Sequence, residues 1–208
     1  MSEFKKNILV GYSGHSYVVL EAANALGFNV KSYIDVDQKK INPFNLEYIG
    51  SENDLDLSHF SKKHQFILAI GDNKIRVSVA KKLLSKSIEL VNIINPNSNI
   101  SNSSSWGKGI FVSNNVIVNS LSQIDDFVIL NTSSVIEHEC LISSGVNVGP
   151  GAVLCGNVKI GENSFIGANS VIKEGIIIGK NVIIGAGSVV INNISDNCKV
   201  VGNPAKMI

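Results

Sequence analysis

One histidine lies between two carboxylates in the second half of the sequence. His138 follows Glu137 and precedes Glu139, while the other three histidines all lie within the first 64 residues. An imidazole titrates close to neutral pH, and a neighbouring carboxylate can orient it and raise its basicity. The triplet could therefore act as a general base. A solvated surface histidine is the alternative, and the residue types alone favour neither.

Other residue types exclude several kinds of site. Cys140, Cys155 and Cys198 have no metal-ligand spacing, so we expect small apolar side chains in a reduced compartment. Arg76 is the only arginine, which argues against a phosphate clamp built from arginines. A zinc site of three histidines would find only His138 in the second half. We therefore predict that the protein holds no metal.

A second group of candidates follows predicted strands in the first half. They are Gly14, His15, Ser16, Asp35, Val36, Asp37, Gly71 and Asn73. The carboxyl ends of parallel strands meet at one edge of a sheet, so these turns should form one crevice. N–H groups at a helix start can bind a diphosphate, and a carboxylate at a strand end can accept from a base or ribose. Ordinary turns between strand and helix are the alternative.

The elements that position this crevice alternate along residues 1–94. Strands are predicted at 7–11, 30–34, 65–70 and 89–94, and helices at 16–26 and 74–85. Strands that alternate with helices are typical of a parallel sheet. Residues 1–94 are therefore predicted to form a small Rossmann-like α/β domain.

The second half repeats every six residues. Apolar residues keep one register over fourteen positions: Val112, Val118, Ile124, Leu130, Ile136, Ile142, Val148, Leu154, Ile160, Ile166, Ile172, Ile178, Ile184 and Val190. A six-residue period is typical of a parallel β-solenoid, in which each coil buries its apolar residue against the next. Trp106 interrupts the register, which Ile94 and Ile100 extend upstream. We predict a solenoid domain over 95–208, with 196–208 as a capping loop.

Composition limits the partners of these two domains. The 208 residues are 44% hydrophobic and 17% charged, with a net charge of +1. This balance argues against disorder and against a nucleic-acid partner, which needs a basic surplus. No apolar run is long enough to span a membrane, and the N-terminal residues lack the apolar core of a signal peptide. We expect a cytoplasmic protein.

Four motifs resemble one enzyme family over essentially the whole chain. They are Val-Gly-Tyr-Ser-Gly-His, Ile-Gly-Asp-Asn-Lys-Ile-Arg, Leu-Asn-Thr…Val-Ile-Glu-His-Glu-Cys and Val-Gly-Asn-Pro-Ala-Lys. Together they resemble the PglD/NeuD-like sugar acetyltransferases, whose hexapeptide repeats form a left-handed parallel β-helix. The resemblance implies N-acetylation, by acetyl-CoA, of an amino sugar linked to a nucleotide diphosphate, with a 4-amino sugar favoured. It makes His138 the general base, supported by Glu139, although Glu137 could orient it instead.

The resemblance also implies that residues 1–94 bind the nucleotide sugar and that residues 95–208 bind acetyl-CoA. It assigns to acetyl-CoA the positions Asn147, Gly156, Gly167, Ala168 and Ala186. Members of the family often carry a second histidine where this chain has Asn147, and an amide can still donate a hydrogen bond there. Asn131 matches a position near the acceptor sugar. Coil packing, which itself favours small residues and asparagines, is the alternative for all six.

The family forms trimers with active sites between neighbouring solenoids, so the resemblance implies a homotrimer. Three other functions are considered. One is O-acetylation of a sialic-acid-type sugar, and another is a non-catalytic trimer that binds a sugar nucleotide. The third is the β-helical carbonic anhydrase reaction, which needs three histidines for its zinc and finds only His138 in this solenoid.

Overall fold

The first domain contains one parallel sheet. The computed structural model describes residues 5–60 and 63–208, so the first four residues of the N-terminal segment lie outside it. The strands are β1 (Lys6–Val10), β2 (Val30–Ile34), β3 (Glu47–Tyr48), β4 (His64–Leu68) and β5 (Glu89–Leu90). Their order is β3-β2-β1-β4-β5. The chain therefore reverses its direction of winding between β1 and β4, and the two loops that follow these strands flank that point.

Two helices connect the strands, α1 (Gly14–Ala25) and α2 (Asn73–Ser85), and a short 3-10 turn lies at Leu57–His59. Both helices begin with capping hydrogen bonds. The Ser16 hydroxyl accepts from Ser13 N at 2.8 Å, and Asp72 Oδ1 accepts from Ile75 N at 2.9 Å. Such bonds satisfy N–H groups that lack a partner within the helix. The two helices and four strands predicted for this half are confirmed, except at the last strand.

The second domain is a three-sided parallel solenoid. Face 1 has the strands Ile93–Ile94, Phe111–Val112, Ile129–Leu130, Asn147–Val148, Phe165–Ile166, Ile183–Ile184, Lys199–Val201 and Lys206–Met207. Face 2 has Asn99–Ile100, Ile117–Val118, Val135–Ile136, Val153–Leu154, Val171–Ile172 and Val189–Val190. Face 3 has Ser105–Trp106, Gln123–Ile124, Leu141–Ile142, Lys159–Ile160 and Ile177–Ile178. We call the turns between them corner 1–2, corner 2–3 and corner 3–1.

The six-residue register forms the core of this solenoid. Ile136 pairs with Leu154, eighteen residues later, so three hexapeptides make one coil. All fourteen register residues are buried, as Ile136 is at 0% exposure. Burial of such a side chain contributes about 1.5–3 kcal/mol, and the gain recurs at every coil. The predicted fold class, an α/β domain followed by a parallel β-helix of hexapeptides, is confirmed.

The first domain packs on the lower coils of face 1. The outward residues Ile93, Phe111 and Ile129 are 1–2% exposed and belong to the same apolar cluster as Leu9 and Val19 of the α/β domain. Higher on this face the outward residues are open to solvent. The α/β domain therefore covers one side of the solenoid over part of its length.

Three details differ from the sequence predictions. The strand expected at 89–94 is two strands, because Asn92 turns toward the solenoid and bonds Gly107 O at 2.8 Å. Ile93–Ile94 then opens face 1, just before the boundary predicted at residue 95. Trp106 does not interrupt the register, since it pairs beside Ile124 on the end strand of face 3, where the indole covers the exposed end of the core.

The tail also differs from its prediction. Residues 196–208 are not a loop, because Lys199–Val201 adds a parallel strand to face 1 and Lys206–Met207 pairs with it in the antiparallel sense. The apolar Val200, which is 2% exposed, explains the extra strand, as it continues the buried column above Ile184.

Candidate active site

His138 lies at corner 2–3 with its imidazole exposed. Its Nδ1 is 3.1 Å from Glu139 Oε2, and both side chains are 59% exposed. A carboxylate on Nδ1 favours the tautomer with the proton on that nitrogen, which leaves Nε2 free to accept a proton. The arrangement is that of a general base held in orientation by its neighbour.

The geometry favours Glu139 over Glu137 as the orienting carboxylate. Glu139 has φ of +59°, a left-handed conformation that asparagine and glycine adopt at the matching positions one and two coils above, Asn157 and Gly175. A glutamate there costs of the order of 1 kcal/mol of backbone strain. Among the described residues, the Glu137 carboxylate has no hydrogen-bond partner, although its backbone carbonyl accepts from Ser122 Oγ at 2.7 Å.

Gly156 lies directly above His138 on the next coil. A Cβ at Gly156 would be 2.5 Å from His138 Cε1 and 2.6 Å from Nε2. The absent side chain therefore makes room for the imidazole, a reason for glycine that the sequence did not suggest. The position assigned by resemblance to acetyl-CoA is thus in contact with the candidate base.

Gly156→Ala is expected to displace the imidazole and to lower the turnover number at least about tenfold, since small misplacements of a catalytic group are costly. The control is Gly175→Ala, one coil higher in the same corner, where a Cβ would meet no described atom within 4 Å and only the φ of +69° adds backbone strain. Steady-state kinetics with acetyl-CoA would test this. Equal turnover for Gly156→Ala and the wild-type chain would show that the imidazole does not depend on that space.

The cysteine beside this site is not suited to nucleophilic chemistry. Cys140 is fully buried, and its Sγ lies 3.3 Å from Cys155 O. Burial raises the pKa of the Cys140 thiol to about 11, so the thiolate is scarce at neutral pH. All three cysteines are free thiols.

The crevice of the α/β domain opens between the loops after β1 and β4. Gly14 and His15 begin α1 on one side, and Gly71 lies opposite, where an added Cβ would be 3.8 Å from His15 Cβ. A Cβ at Gly14 would meet no atom within 4 Å, so the first turn of the helix is open above it. This is the place where open parallel sheets bind nucleotides, with a helix N-terminus directed at the ligand.

His15 forms the inner wall of this crevice. Its ring makes an edge contact with Phe111 of the solenoid, with centroids 5.4 Å apart, and its Nε2 is buried without a hydrogen-bond partner. Burial, with a smaller contribution from the Arg76 charge, lowers the pKa of His15 to about 4. The imidazole of His15, at the junction of the two domains, is therefore neutral at neutral pH.

This pKa predicts a loss of stability in acid. In the unfolded chain His15 titrates near 6.5 and binds more protons than in the folded chain, so stability falls as pH drops from about 6.5 toward 4. The full loss is about 3 kcal/mol. His15→Leu should flatten the pH dependence of urea unfolding over this range, whereas His59→Ala, at an exposed histidine, should keep it. Equal slopes for His15→Leu and the wild type would contradict a buried neutral His15.

Some of the other predicted crevice residues have side chains that are hydrogen-bonded to the loops, whereas others have side chains exposed to solvent. Asp35 accepts from Tyr12 N at 2.8 Å and from Val36 N at 2.7 Å and pairs with Lys39, so its carboxylate holds the loops at the end of β2 in place. The Ser16 hydroxyl is likewise used in the cap of α1. The side chains of Val36 and Asp37 are exposed at the end of β2.

Two predicted asparagines link the crevice to face 1. Asn147 is 7% exposed, and its Nδ2 lies 3.4 Å from Gly71 O. Its Oδ1 accepts from Asn131 Nδ2 at 2.7 Å. Asn73 donates to the carbonyl of Asn163 at 3.0 Å. These contacts place the side chains of Asn147 and Asn73 between the two domains, at the edge of the crevice.

The remaining acetyl-CoA positions lie at corner 1–2. A Cβ at Gly167 would be 2.5 Å from Ala186 N of the next coil, so close stacking of the coils alone requires this glycine. Ala168 is partly exposed and Ala186 is exposed. The two alanines leave an open edge beside face 2, as the packing alternative also allows.

Sequence reasoning missed Arg76. It is 1% exposed and donates to Ile70 O and Gly71 O, the carbonyls of the crevice loop. The one signal in the sequence was a single arginine in a chain whose other cations are all lysines.

The predicted site residues thus lie in three places of one chain. His138, its two carboxylates and Gly156 are at corner 2–3, and Gly167, Ala168 and Ala186 are at corner 1–2, with Asn131 beginning that corner. The crevice rests on face 1, which is opposite corner 2–3 in the triangular cross-section. The body of the solenoid therefore separates the crevice of a chain from its own His138.

Over residues 5–60 and 63–208, no three His, Cys, Asp or Glu side chains are grouped as a metal site. In the same part of the chain, neither helix has the length and hydropathy to cross a bilayer.

Family models match both domains. The model of the PglD N-terminal domain matches residues 6–83. The model of the bacterial transferase hexapeptide matches residues 139–174 and 157–192. The first match spans the crevice, and the second spans the coils that carry Gly156.

Solved structures resemble the whole chain. A histidine-to-asparagine variant of perosamine N-acetyltransferase from Caulobacter crescentus, with CoA and GDP-perosamine, is 32% identical, with a TM-score of 0.92 and 98% of this chain and 96% of that chain covered. The acetyltransferase domain of PglB from Neisseria gonorrhoeae, with acetyl coenzyme A, is 32% identical, with a TM-score of 0.91 and coverage of 99% and 100%. WeeI from Acinetobacter baumannii is 25% identical, with a TM-score of 0.87 and coverage of 98% and 100%.

Proposed function

The chain belongs to the family of sugar acetyltransferases that join a PglD-type N-terminal domain to a hexapeptide β-helix, and from that premise we propose that it N-acetylates an amino sugar linked to a nucleotide diphosphate. Acetyl-CoA is the acyl donor, and a 4-amino sugar is the favoured acceptor. The observation that carries the proposal is His138, whose Nδ1 faces Glu139 at 3.1 Å while the imidazole remains exposed. The product class suits the assembly of surface polysaccharides or glycoprotein glycans.

The reaction is a direct transfer between the two substrates. The acceptor amine attacks the thioester carbonyl carbon while His138 Nε2 removes the proton that the new bond makes acidic. The tetrahedral intermediate then expels the CoA sulfur, which leaves as the thiol once protonated, and the amide is complete. Glu139 stabilises the imidazolium that exists between these steps.

The oxyanion of the intermediate needs a donor near His138. The backbone N–H of Gly156 has no hydrogen-bond partner among the described residues, and it lies one coil above the imidazole. We assign it this role because a backbone N–H in fixed position stabilises developing charge without reorganisation.

The acceptor is held by the α/β domain of one subunit and reacts at the solenoid of its neighbour. Gly14 and His15 offer the start of α1 to the diphosphate, while Val36 and Asp37 remain exposed for the base or ribose. Since the solenoid body lies between this crevice and the His138 of the same chain, a neighbour must supply the histidine.

A homotrimer fits this requirement. Face 2 carries a straight column of partly exposed apolar residues, Ile117, Val135, Val153, Val171 and Val189. Three-fold cyclic assembly through this face brings corner 2–3 of one subunit against corner 1–2 of the next. Light scattering should give three times the 22.3 kDa subunit mass.

Corner 1–2 then supplies the other wall of the acetyl-CoA groove. Ala168 and Ala186 lie there as small exposed residues, on the face-2 edge away from His138. Close approach of a pantetheine chain requires such small side chains. The cytoplasm is the proposed location, supported by three free thiols.

Release of the CoA thiol, measured against a panel of acceptors, tests the proposed function. The panel holds UDP- and GDP-linked 4-amino sugars, a free amino sugar and a sialic acid. Release with a nucleotide-linked amino sugar is expected. Release with sialic acid alone would assign the chain to O-acetylation, and an absence of both release and CoA binding would favour a non-catalytic sugar-nucleotide-binding protein.

A further inference from the structure

Arg76 is a buried cation that forms no ion pair among the described residues, although the charge of the nearby Asp72 carboxylate favours it. It lies in the first turn of α2 at 1% exposure, and none of the ion pairs among the described residues involves it. Burial lowers the pKa of Arg76 to about 10, so the side chain still carries its charge at neutral pH. A buried charge costs several kcal/mol, and an apolar side chain of similar volume would often be at least as stable. The guanidinium is therefore a poor choice for stability alone.

Its hydrogen bonds join the two domains. Nη1 donates to Ile70 O at 3.1 Å and to Gly71 O at 2.9 Å, both in the crevice loop. Nε donates to Phe127 O at 2.8 Å and Nη2 to Gly145 O at 2.9 Å, both in the solenoid. A planar guanidinium holds such acceptors in a fixed relative geometry, which a flexible ammonium or an apolar chain cannot do.

The solenoid acceptors occupy the same position on successive coils. Phe127, Gly145 and Asn163 follow one another at corner 3–1, with φ of +61°, +73° and +59°. Arg76 bonds the first two carbonyls, and Asn73 Nδ2 bonds the third at 3.0 Å. Arg76 Nη2 also donates to Asn73 Oδ1 at 3.0 Å, so the two side chains act as one unit. This unit contacts three consecutive coils.

A steric contact selects the same coil. A Cβ at Gly145 would be 2.5 Å from Val77 Cγ2 and 2.6 Å from Asn163 Oδ1 of the next coil, so the observed position of Val77 requires a glycine on the coil it contacts. The coils directly below and above carry Phe127 and Asn163 there. A shift of the α/β domain by one coil in either direction would place Val77 against a side chain.

A repetitive surface makes this selection necessary. Adjacent coils are spaced by about 4.8 Å and present similar backbone, so apolar packing alone distinguishes poorly between one coil and the next. We propose that Arg76, with Asn73 and Val77, sets the coil on which the α/β domain docks and thereby the height of the nucleotide crevice relative to His138. The three are positioning residues, and the consequence for transfer rests on the proposed function.

The crystal structure of Arg76→Met, which keeps the length but not the donors, tests the docking directly. We expect the α/β domain to move against the solenoid by about 1 Å or more, enough to lower acetyl transfer to a nucleotide-linked amino sugar about a hundredfold. Calorimetric binding of UDP or GDP and of acetyl-CoA should change little. Slow transfer to a free amino sugar, which does not use the crevice, should also persist.

Gly145→Ala is the second variant, should Arg76→Met not fold. It leaves the guanidinium in place and pushes against Val77, so the same displacement and the same selective loss are expected. Gly175→Ala is its matched control, because Gly175 has a similar φ of +69° but an added Cβ would meet no atom within 4 Å. This control should change stability without changing the ratio of the two transfer rates.

The outcomes separate the two proposals. An unmoved α/β domain, or equal loss with linked and free acceptors, would overturn the positioning role. A displaced domain in Arg76→Met, together with a wild-type chain that acetylates no nucleotide-linked sugar, would remove the proposed function and keep the positioning role.

Discussion

His138→Ala should lower acetyl transfer by about 10²–10⁴-fold, the range that general acid–base catalysis contributes. The imidazole is exposed, so its loss leaves the core unchanged and the variant should fold as the wild type does. Acetyl-CoA binding should persist, because the groove walls do not depend on the imidazole. Single-turnover kinetics would separate the lost chemical step from substrate binding.

The control is His59→Ala, which removes another exposed histidine far from corner 2–3 in sequence and should retain full activity. Glu139→Gln is an informative companion. It keeps the size of the side chain but removes the negative charge beside Nδ1, so the rate should fall less than in His138→Ala. Unchanged transfer in His138→Ala would end the general-base mechanism.

Mixed oligomers of two inactive variants, Gly14→Asp and His138→Ala, should recover activity. Gly14→Asp adds a negative charge at the start of α1, where it suits the helix but repels a diphosphate. His138→Ala removes the base. When the two chains are unfolded together and reassembled in equal amounts, about a quarter of the sites combine an intact crevice with an intact neighbouring histidine.

Each variant reassembled alone is the control and should stay inactive. Recovery toward a quarter of the wild-type rate would place crevice and histidine on different subunits. If the mixture remained as inactive as its components while light scattering showed mixed trimers, each site would be built within one chain.

The solenoid was the most predictable part of the fold. Its hexapeptide register required no distant information, because each coil repeats the same local pairing, as Ile136 with Leu154. The pattern did not predict that Trp106 keeps the register, because an indole takes the place of an aliphatic residue only at the open end of the solenoid. The pattern also did not predict the break between Leu90 and Ile93, since the apolar run looks continuous and only Asn92 turns the chain.

The site was less predictable than the fold. His138 and Glu139 are adjacent in sequence, so their contact could be expected. Gly156 could not be, because the space it leaves for the imidazole depends on a neighbour eighteen residues away. Asn147 and Arg76 depend on docking between domains, and no local pattern reveals which carbonyls a buried side chain will meet.

The docked α/β domain divides the solenoid into two regions with different tolerance to changes in length. Its contacts reach from Ile93 to Ser164, and above them Phe165 and Ile183 of face 1 are 38% and 42% exposed. Insertion of one eighteen-residue coil within the contacted region, before Ser164, would separate Arg76 from the solenoid carbonyls that it bonds. Above Val190, the same insertion would only lengthen the stack. Chain length among such proteins should therefore vary in whole coils near the C-terminal end.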